Sequence, residues 1–267
     1  MNRIDKTLAA LQKSGKKMLS PYITAGDPSP ESTVKLMQAF VEAGADILEV
    51  GIPFSDPMAE GPVIQAAMER ALHYNVSCSQ VLEMIRVFRL TDNTTPVILM
   101  GYLNPIEFYG YEQFAKKAAE VGVDGTILVD LPPEESAAVQ AIWEAHNLYN
   151  IYLCSPTTTA RRMELITNYA KGYLYYVSLK GVTGADLALE TVKTDYQLRK
   201  SQTSLPLMVG FGIKTAEMAK DVATFADGVI VGAALINKIL EAHEADTNIY
   251  AAGASLIRDM RQAIDNG

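Results

Sequence analysis

The stretch DILEVGIPFSDPMAEG, residues 46–61, decides how this chain folds. Its first half is an apolar run typical of a buried strand, and Glu49 interrupts that run near its end. Its second half is a proline-containing loop that returns a second carboxylate, Glu60, just before a helical pattern begins at Pro62. A carboxylate is expensive to bury, so Glu49 needs a partner or a chemical task. The stretch therefore predicts a strand with a functional site at its carboxyl end.

The same unit recurs farther along the chain. Residues 43–51 (AGADILEVG), 121–130 (VGVDGTILVD) and 224–232 (TFADGVIVG) each join the end of a helix, an aspartate and a β-rich run. Apolar runs separated mostly by helical patterns indicate parallel strands that are buried on both faces. We find such runs at residues 19–24, 46–50, 96–101, 126–129, 150–153, 173–178, 207–209 and 228–231.

This alternation predicts an α/β fold, a single (β/α)8 TIM-barrel domain over residues 1–267 with an extra N-terminal helix and additional helices. A doubly wound open sheet is the alternative, but no GxGxxG motif follows the first strand.

The composition narrows the possible partners and the location. The net charge is −8 and no basic run occurs, which argues against a nucleic-acid partner. No signal peptide and no apolar run of 18 residues is present, which argues against a membrane partner. Cys78 and Cys154 lie far apart without metal-ligand spacing, so we predict free thiols in a reducing cytosol. We therefore expect a cytoplasmic protein.

Two carboxylates belong to the predicted mouth of the barrel, where the carboxyl ends of the strands meet. Glu49 and Glu60 in one mouth would act as general acid and general base. Two plainer readings stay open at this point: Glu49 as a satisfied interior glutamate, and Glu60 as a solvated loop charge. The histidines all fall in or at the ends of helical patterns, so neither a metal site nor a Ser-His-Asp triad is predicted.

Glycines follow the last three predicted strands, at residues 181–184 (GVTG), 210–212 (GFG) and 232–234 (GAA). In a (β/α)8 barrel the exits of strands seven and eight often bind phosphate through backbone N–H groups and a helix N-terminus. Because backbone N–H groups are neutral donors, such a site could bind an anion even in a chain with a negative net charge. The alternative is that these glycines only make tight turns. The loop at residues 178–187, which contains Thr183, is a candidate lid.

Residues 48–62 (LEVGIPFSDPMAEGP) resemble the signature of the tryptophan synthase alpha subunit family. Essentially the whole chain shares the resemblance, in register, through SPYITAGDP at 20–28, GYLNP at 101–105, DGTILVDLPPEE at 124–135, YYVSLKGVTGA at 175–185 and VGFGI at 209–213. The resemblance implies a (β/α)8-barrel lyase of tryptophan biosynthesis that cleaves indole-3-glycerol phosphate to indole and glyceraldehyde 3-phosphate. It also implies an α2β2 complex in which indole passes to a beta subunit. Pyridoxal phosphate is expected in that partner, and no cofactor in this chain.

The resemblance also implies residue roles. Glu49 matches the acid-base carboxylate, Glu60 the second acid, which holds the indole N–H, and Tyr175 the tyrosine beside Glu49. The implied substrate pocket consists of Tyr22, Met100, Tyr102, Ile127, Val129 and Thr183. The implied phosphate site consists of Gly184, Gly212, Ile213, Gly232 and Ala233. The implied contact with the beta subunit involves residues 53–60 and Pro132.

Two positions depart from the family pattern. Glu60 stands where the family more often has Asp, so its carboxylate must sit about 1 Å differently, a displacement that can be costly in an active site. Ala233 stands where serine is common, and the lost hydroxyl contact should cost about 1 kcal/mol. Two alternatives to the lyase remain: a metal-dependent phosphosugar epimerase, and a non-catalytic barrel kept as an allosteric partner of a beta subunit.

Overall fold

A computed structural model describes residues 1–178, 185–210 and 212–267 of the chain. Strands and helices alternate along these ranges, as the sequence predicts. The strands are β1 Met18–Thr24, β2 Leu48–Gly51, β3 Val97–Gly101, β4 Gly125–Leu128, β5 Tyr149–Asn150, β6 Leu153–Cys154, β7 Leu174–Val177, β8 Leu207–Gly210 and β9 Gly228–Val231. The helices are α1 Arg3–Ser14, α2 Ser32–Glu42, α3 Pro62–His73, α4 Cys78–Phe88, α5 Leu103–Tyr109, α6 Tyr111–Val121, α7 Ala137–Ala145, α8 Ala160–Tyr169, α9 Ala185–Lys200, α10 Ala216–Ala223, α11 Ala233–Glu244 and α12 Ile249–Asp265. Within these ranges no helix combines the length and apolarity needed to cross a membrane.

All strands are parallel and follow the order β5-β4-β3-β2-β1-β9-β8-β7-β6 in one sheet. The predicted fifth strand is observed as two short ones, β5 and β6, because the backbone changes partner between them. The Ile151 amide donates to the Thr126 carbonyl beside β4 at 2.8 Å, and the Tyr152 carbonyl accepts from the Tyr175 amide of β7 at 3.0 Å. These bonds close the sheet into the predicted (β/α)8 barrel.

The barrel interior is filled by side chains of alternate strand residues, as the two-residue period of a strand requires. Met18, Ile98, Met208 and Ile230 lie in this inner cluster, whereas their strand neighbours pack outward against the helices. Helix α1 covers the amino end of the barrel, because fully buried Ile4 belongs to the same inner cluster. The barrel therefore has a closed floor, and its open end is the carboxyl ends of the strands.

The recurring aspartate in the sequence has a structural role at the amino end of the barrel. Each of these aspartates accepts a backbone N–H from the neighbouring strand through Oδ2: Asp46 from Leu19 at 2.9 Å, Asp124 from Val97 at 2.9 Å and Asp227 from Leu207 at 2.8 Å. Each also forms an ion pair with a nearby cation: Asp46 with Arg261, Asp124 with Arg3 and Arg89, and Asp227 with Lys200. The repeat therefore fixes adjacent strands to one another.

Candidate active site

Glu49 lies in β2 with its side chain fully buried in the barrel. Its Oε1 accepts hydrogen bonds from the Ser20 hydroxyl at 3.3 Å and the Tyr173 hydroxyl at 3.0 Å. Its Oε2 is also buried and has no hydrogen-bond partner among the described residues. The pKa of Glu49 is raised to about 8, mainly by burial. The two hydroxyl donors lower this pKa, and the charge of Glu60 raises it. At neutral pH this carboxyl group keeps its proton.

Glu60 lies at the end of the loop that follows β2 and is partly buried. Its backbone is held by two contacts: its amide donates to the Pro57 carbonyl at 3.0 Å, and its carbonyl accepts from Gln65 Nε2 at 2.9 Å. Burial raises the pKa of Glu60 to about 7. The structure therefore brings the two predicted acids to one mouth. Glu60 is thus partly withdrawn from solvent.

Tyr102 supports the same loop from below. Its hydroxyl accepts a hydrogen bond from the Ala59 amide at 2.9 Å, and its ring lies 5.2 Å from that of Phe54, centroid to centroid. Burial raises the pKa of Tyr102 to about 12, and the charge of Glu60 contributes to this rise. Tyr102 therefore holds the loop that presents Glu60.

Tyr22 and Tyr175 lie close enough to both acids to be affected by their charges. Burial, followed by the charges of Glu49 and Glu60, raises the pKa of Tyr175 well above its ordinary value, and both acids act on Tyr22 in the same direction. Each ring occupies space that a glycine leaves free. A Cβ on Gly210 would lie 2.1 Å from the Tyr175 hydroxyl oxygen, and one on Gly51 would lie 2.2 Å from that of Tyr22. Both tyrosines stay neutral at physiological pH.

The predicted pocket residues come together on the inner face of the barrel. Tyr22, Met100 and Ile127 are buried members of the inner cluster, and Val129 and Tyr175 pack against it. The register explains this proximity, since Met100 pairs with Ile127 and Glu49 pairs with Tyr22 across adjacent strands. Thr183, the remaining predicted pocket residue, lies outside the described residues.

The predicted phosphate residues lie after β8 and β9, which are neighbours in the sheet. Gly212 has a left-handed backbone with φ of 86°, and Ile213 beside it is buried. Gly232 is the N-cap of α11 and Ala233 is the first residue of that helix, so the free N–H groups of a helix N-terminus lie here. A Cβ on Gly232 would lie 3.5 Å from the Tyr22 ring, which places this helix start beside the pocket. Gly184 lies outside the described residues.

Two surface grooves do not by themselves locate this site. A groove of about 660 Å³ lies on the outer surface beside α8, and one of about 400 Å³ opens at the ends of β4, β6 and β7. Of the predicted pocket residues, Val129 lines the smaller one. The buried acids identify the mouth of the barrel better than cavity size does.

Two residues beside Glu49, Ser20 and Tyr173, were missed by the sequence reasoning. The two-residue period of a strand could have found them, because Ser20 shares a face with Tyr22 and Tyr173 shares one with Tyr175. Among the described residues, no group of three or more His, Cys, Asp or Glu side chains is placed to hold a metal ion.

The fold defines the class of the protein, a (β/α)8 barrel, and two acids with pKa values moved toward neutrality at its mouth are typical of acid-base enzymes. Residues 8–265 match the model of the tryptophan synthase alpha chain family. A tryptophan synthase alpha chain of Legionella pneumophila (strain Corby) is 67% identical over 267 residues, which is 100% of this chain and 98% of that one. The counterpart in Alkalilimnicola ehrlichii is 50% identical over 99% of this chain and 97% of its own length.

Solved structures agree with these relatives. The crystal structure of tryptophan synthase subunit alpha from Legionella pneumophila strain Paris superposes with a TM-score of 0.96 at 64% identity, over 100% of both chains. A chain of tryptophan synthase from M. tuberculosis superposes with a TM-score of 0.88 at 28% identity, over 99% of both chains.

The chain belongs to the tryptophan synthase alpha chain family. It is accordingly a lyase of tryptophan biosynthesis that cleaves indole-3-glycerol phosphate to indole and glyceraldehyde 3-phosphate. The designation of the family as an alpha chain implies a beta-subunit partner.

Proposed function

We propose that Glu49 is the acid-base catalyst of this cleavage and that Glu60 stabilises the indole ring. Protonated Glu49 gives its proton to C3 of the indole, and the positive charge that forms on the ring is held through its N–H by ionised Glu60. Glu49, now a carboxylate, takes the proton of the glycerol hydroxyl as the carbon–carbon bond breaks. Indole and the aldehyde leave, and Glu49 ends with the proton it had at the start.

The different burial of the two acids carries this proposal. Glu49 is fully buried and its pKa is raised to about 8, so it stays protonated at neutral pH, whereas Glu60 is only partly buried and is the acid that ionises more readily. Two carboxyl groups whose environments separate their pKa values divide naturally into a proton donor and a charge stabiliser. The fully buried side chain takes the first role and the partly buried one the second.

The remaining roles follow the shape of the cleft. We assign the indole ring to the inner face formed by Tyr22, Met100, Ile127, Val129 and Tyr175, with Tyr102 beneath the loop and Thr183 above the substrate. Tyr175 touches the space between the two acids and orients the substrate there. We assign the phosphate to the backbone N–H groups of Gly184, Gly212, Ile213, Gly232 and Ala233, because the start of α11 lies beside the pocket.

We propose that the partner is a beta subunit that carries pyridoxal phosphate, and that the two subunits form an α2β2 complex. This chain, a single domain located in the cytoplasm, would pass indole to the beta subunit. The contact would involve residues 53–60 and Pro132. Two exposed apolar side chains support this proposal. Met58, in the loop at residues 53–60, is 87% exposed, and Phe108, on α5, is 94% exposed. Tyr102, the residue before α5, contacts the same loop. Exposed apolar side chains that lie together are typical of contact surfaces.

Indole release from indole-3-glycerol phosphate, measured with and without the beta subunit, tests the assignment. We expect release by the parent chain, and a larger rate in the presence of the partner. If the parent releases no indole even with the beta subunit, the chain is a non-catalytic partner instead.

Replacing Glu60 by Asp tests how the longer acid is used. We expect kcat/KM to stay within about tenfold of the parent, roughly 1.4 kcal/mol, because charge and hydrogen-bonding capacity are kept and the loop can adjust. Glu60→Ala is the matched control and should lose far more activity. A loss of several hundredfold in Glu60→Asp would show that the pocket is built around the longer side chain.

The pH dependence of kcat/KM tests the order of the two acids. We expect a bell-shaped profile that rises near pH 7 as Glu60 ionises and falls near pH 8 as Glu49 loses its proton. Glyceraldehyde 3-phosphate formation by the complex is the measurement. Glu60→Gln should remove the rising limb and move the falling limb to lower pH, because the charge of Glu60 no longer raises the pKa of Glu49. A falling limb that disappears in Glu60→Gln would reverse the two assignments.

A further inference from the structure

The two oxygens of the Glu49 carboxyl group have different surroundings. Oε1 accepts hydrogen bonds from the Ser20 and Tyr173 hydroxyls, at 3.3 and 3.0 Å, and both donors are fully buried. Oε2 is equally buried but has no hydrogen-bond partner within the described ranges. Buried polar atoms are normally paired, so an unpaired one in a catalytic cleft requires an explanation.

The two donors approach Glu49 from two sides of the barrel floor. Ser20 lies in β1, two residues before Tyr22, which pairs with Glu49 in the register of the sheet. It therefore faces inward one layer deeper than Tyr22. Tyr173 immediately precedes β7 on another part of the ring, and Ile4 of α1 lies in the same inner cluster. The donors thus come from the closed end of the barrel.

We propose that Ser20 is a positioning residue, which together with Tyr173 anchors Glu49 Oε1 and leaves Oε2 as the oxygen that exchanges protons with the substrate. This inference rests on the catalytic role proposed for Glu49. An oxygen that accepts two hydroxyl hydrogens has little capacity left for a proton of its own. The proton of the neutral carboxyl group is accordingly on Oε2.

The same arrangement serves both proton transfers. The proton leaves Oε2 for indole C3, the two hydroxyls stabilise the resulting carboxylate through Oε1, and Oε2 then receives the proton of the glycerol hydroxyl. No atom is gained or lost by Glu49 in the cycle. Without Ser20, the carboxylate would lose one of two stabilising donors and could rotate about its last bond.

Ser20→Ala removes this donor without adding atoms to the barrel. We expect the pKa of Glu49 to rise by roughly 0.5 to 1 unit, because a donor to the charged form is lost while the acid Glu60 and the neutral rings of Tyr22, Tyr173 and Tyr175 still face it. We expect kcat to fall at least about tenfold through misplacement of the carboxyl group, with KM little changed. Ser20→Thr keeps a hydroxyl and should recover most of the kcat and the parent pKa.

The control is Ser32→Ala, which deletes another buried serine hydroxyl whose partner is the Ser29 carbonyl, away from Glu49. The pKa of Glu49 is read directly by ¹³C NMR titration of glutamate carboxyl carbons in the full chain, with the Glu49 signal assigned by its absence in Glu49→Gln. Rates are measured in the complex with the beta subunit. Tyr173→Phe and the double variant with Ser20→Ala complete a cycle, in which donors to the same oxygen should be non-additive.

Each outcome decides a different point. A raised pKa and a lowered kcat in Ser20→Ala, both absent in Ser32→Ala, support the positioning role. An unchanged pKa, with activity equal to that of Ser32→Ala, overturns it. A raised pKa of Glu49 with an unchanged kcat in Ser20→Ala also overturns the positioning role. If Glu49→Gln is active as well, the proposed catalytic role of Glu49 is wrong, and the failure is not specific to Ser20.

Discussion

Glu49→Gln is expected to lower kcat for indole release by roughly 10³- to 10⁴-fold, the upper part of the range for a single acid-base group. The amide has the size of the carboxyl group, and its oxygen can still accept from Ser20 and Tyr173. It cannot, however, give up a proton to carbon or take one from a hydroxyl. KM should change little, because the pocket keeps its shape.

The stability of the same variant provides the control for folding. The native pKa of Glu49, near 8, is far above its ordinary value of 4.5, so between these values the native chain holds a proton that the unfolded chain has released. The free energy of unfolding of the parent therefore falls as pH rises through this window, whereas residue 49 contributes no such loss in the variant. Urea unfolding at pH 6 and pH 9 should show the variant gaining stability relative to the parent at the higher pH. Full activity in Glu49→Gln would contradict the mechanism.

Asp124→Ala is expected to lower the free energy of unfolding by about 3 to 5 kcal/mol, the usual result of removing one partner from a buried ion pair. Asp124 is buried and accepts from Arg89 Nη2 at 2.9 Å, from Arg3 Nη1 at 3.0 Å and from the Val97 amide at 2.9 Å. Its loss leaves the buried Arg89 guanidinium without its nearest carboxylate and the first amide of β3 without its acceptor. Urea unfolding measures the change.

The exposed ion pair between Arg86 and Glu83 on α4 offers the matched comparison. Glu83→Ala should change stability far less than Asp124→Ala does, because exposed pairs are weak and screened by salt. Asp124→Asn, which keeps an oxygen toward Val97 but loses the charge, should fall between the two. Equal effects of Asp124→Ala and Glu83→Ala would show that the aspartate repeat does not stabilise the barrel.

Much of the fold was accessible from the sequence because its elements are local. The apolar runs lie close to the observed strands, and Gly15 ends α1 in a left-handed conformation that glycine adopts readily. Other elements are less regular: a short 3-10 turn at Pro133–Glu135 precedes α7. Between the two lies Ser136, whose Oγ accepts a hydrogen bond at 2.8 Å from the hydroxyl of Tyr152, a contact that depends on tertiary packing.

The candidate site was likewise predictable from the sequence only in part. The two acids stand out in the sequence because carboxylates interrupt an apolar strand and a proline-containing loop. Their raised pKa values cannot be read from the sequence, because the burial of each acid and the effect of the Glu60 charge on Glu49 depend on tertiary packing.

The sequence by itself determined the alternation of strands and helices, the aspartate repeat, and Glu49 and Glu60 as candidate acids. These features are composed of neighbouring residues whose period and chemistry can be read locally. Only the tertiary structure decided what surrounds Glu49. Ser20 is 29 residues from it in the chain and contacts it from the adjacent strand β1, whereas Tyr173 is 124 residues from it and contacts it from another part of the barrel. The period of each strand shows which side chains point inward, but only the packing of the strands against one another brings Ser20 and Tyr173 to Oε1 and leaves Oε2 without a described partner.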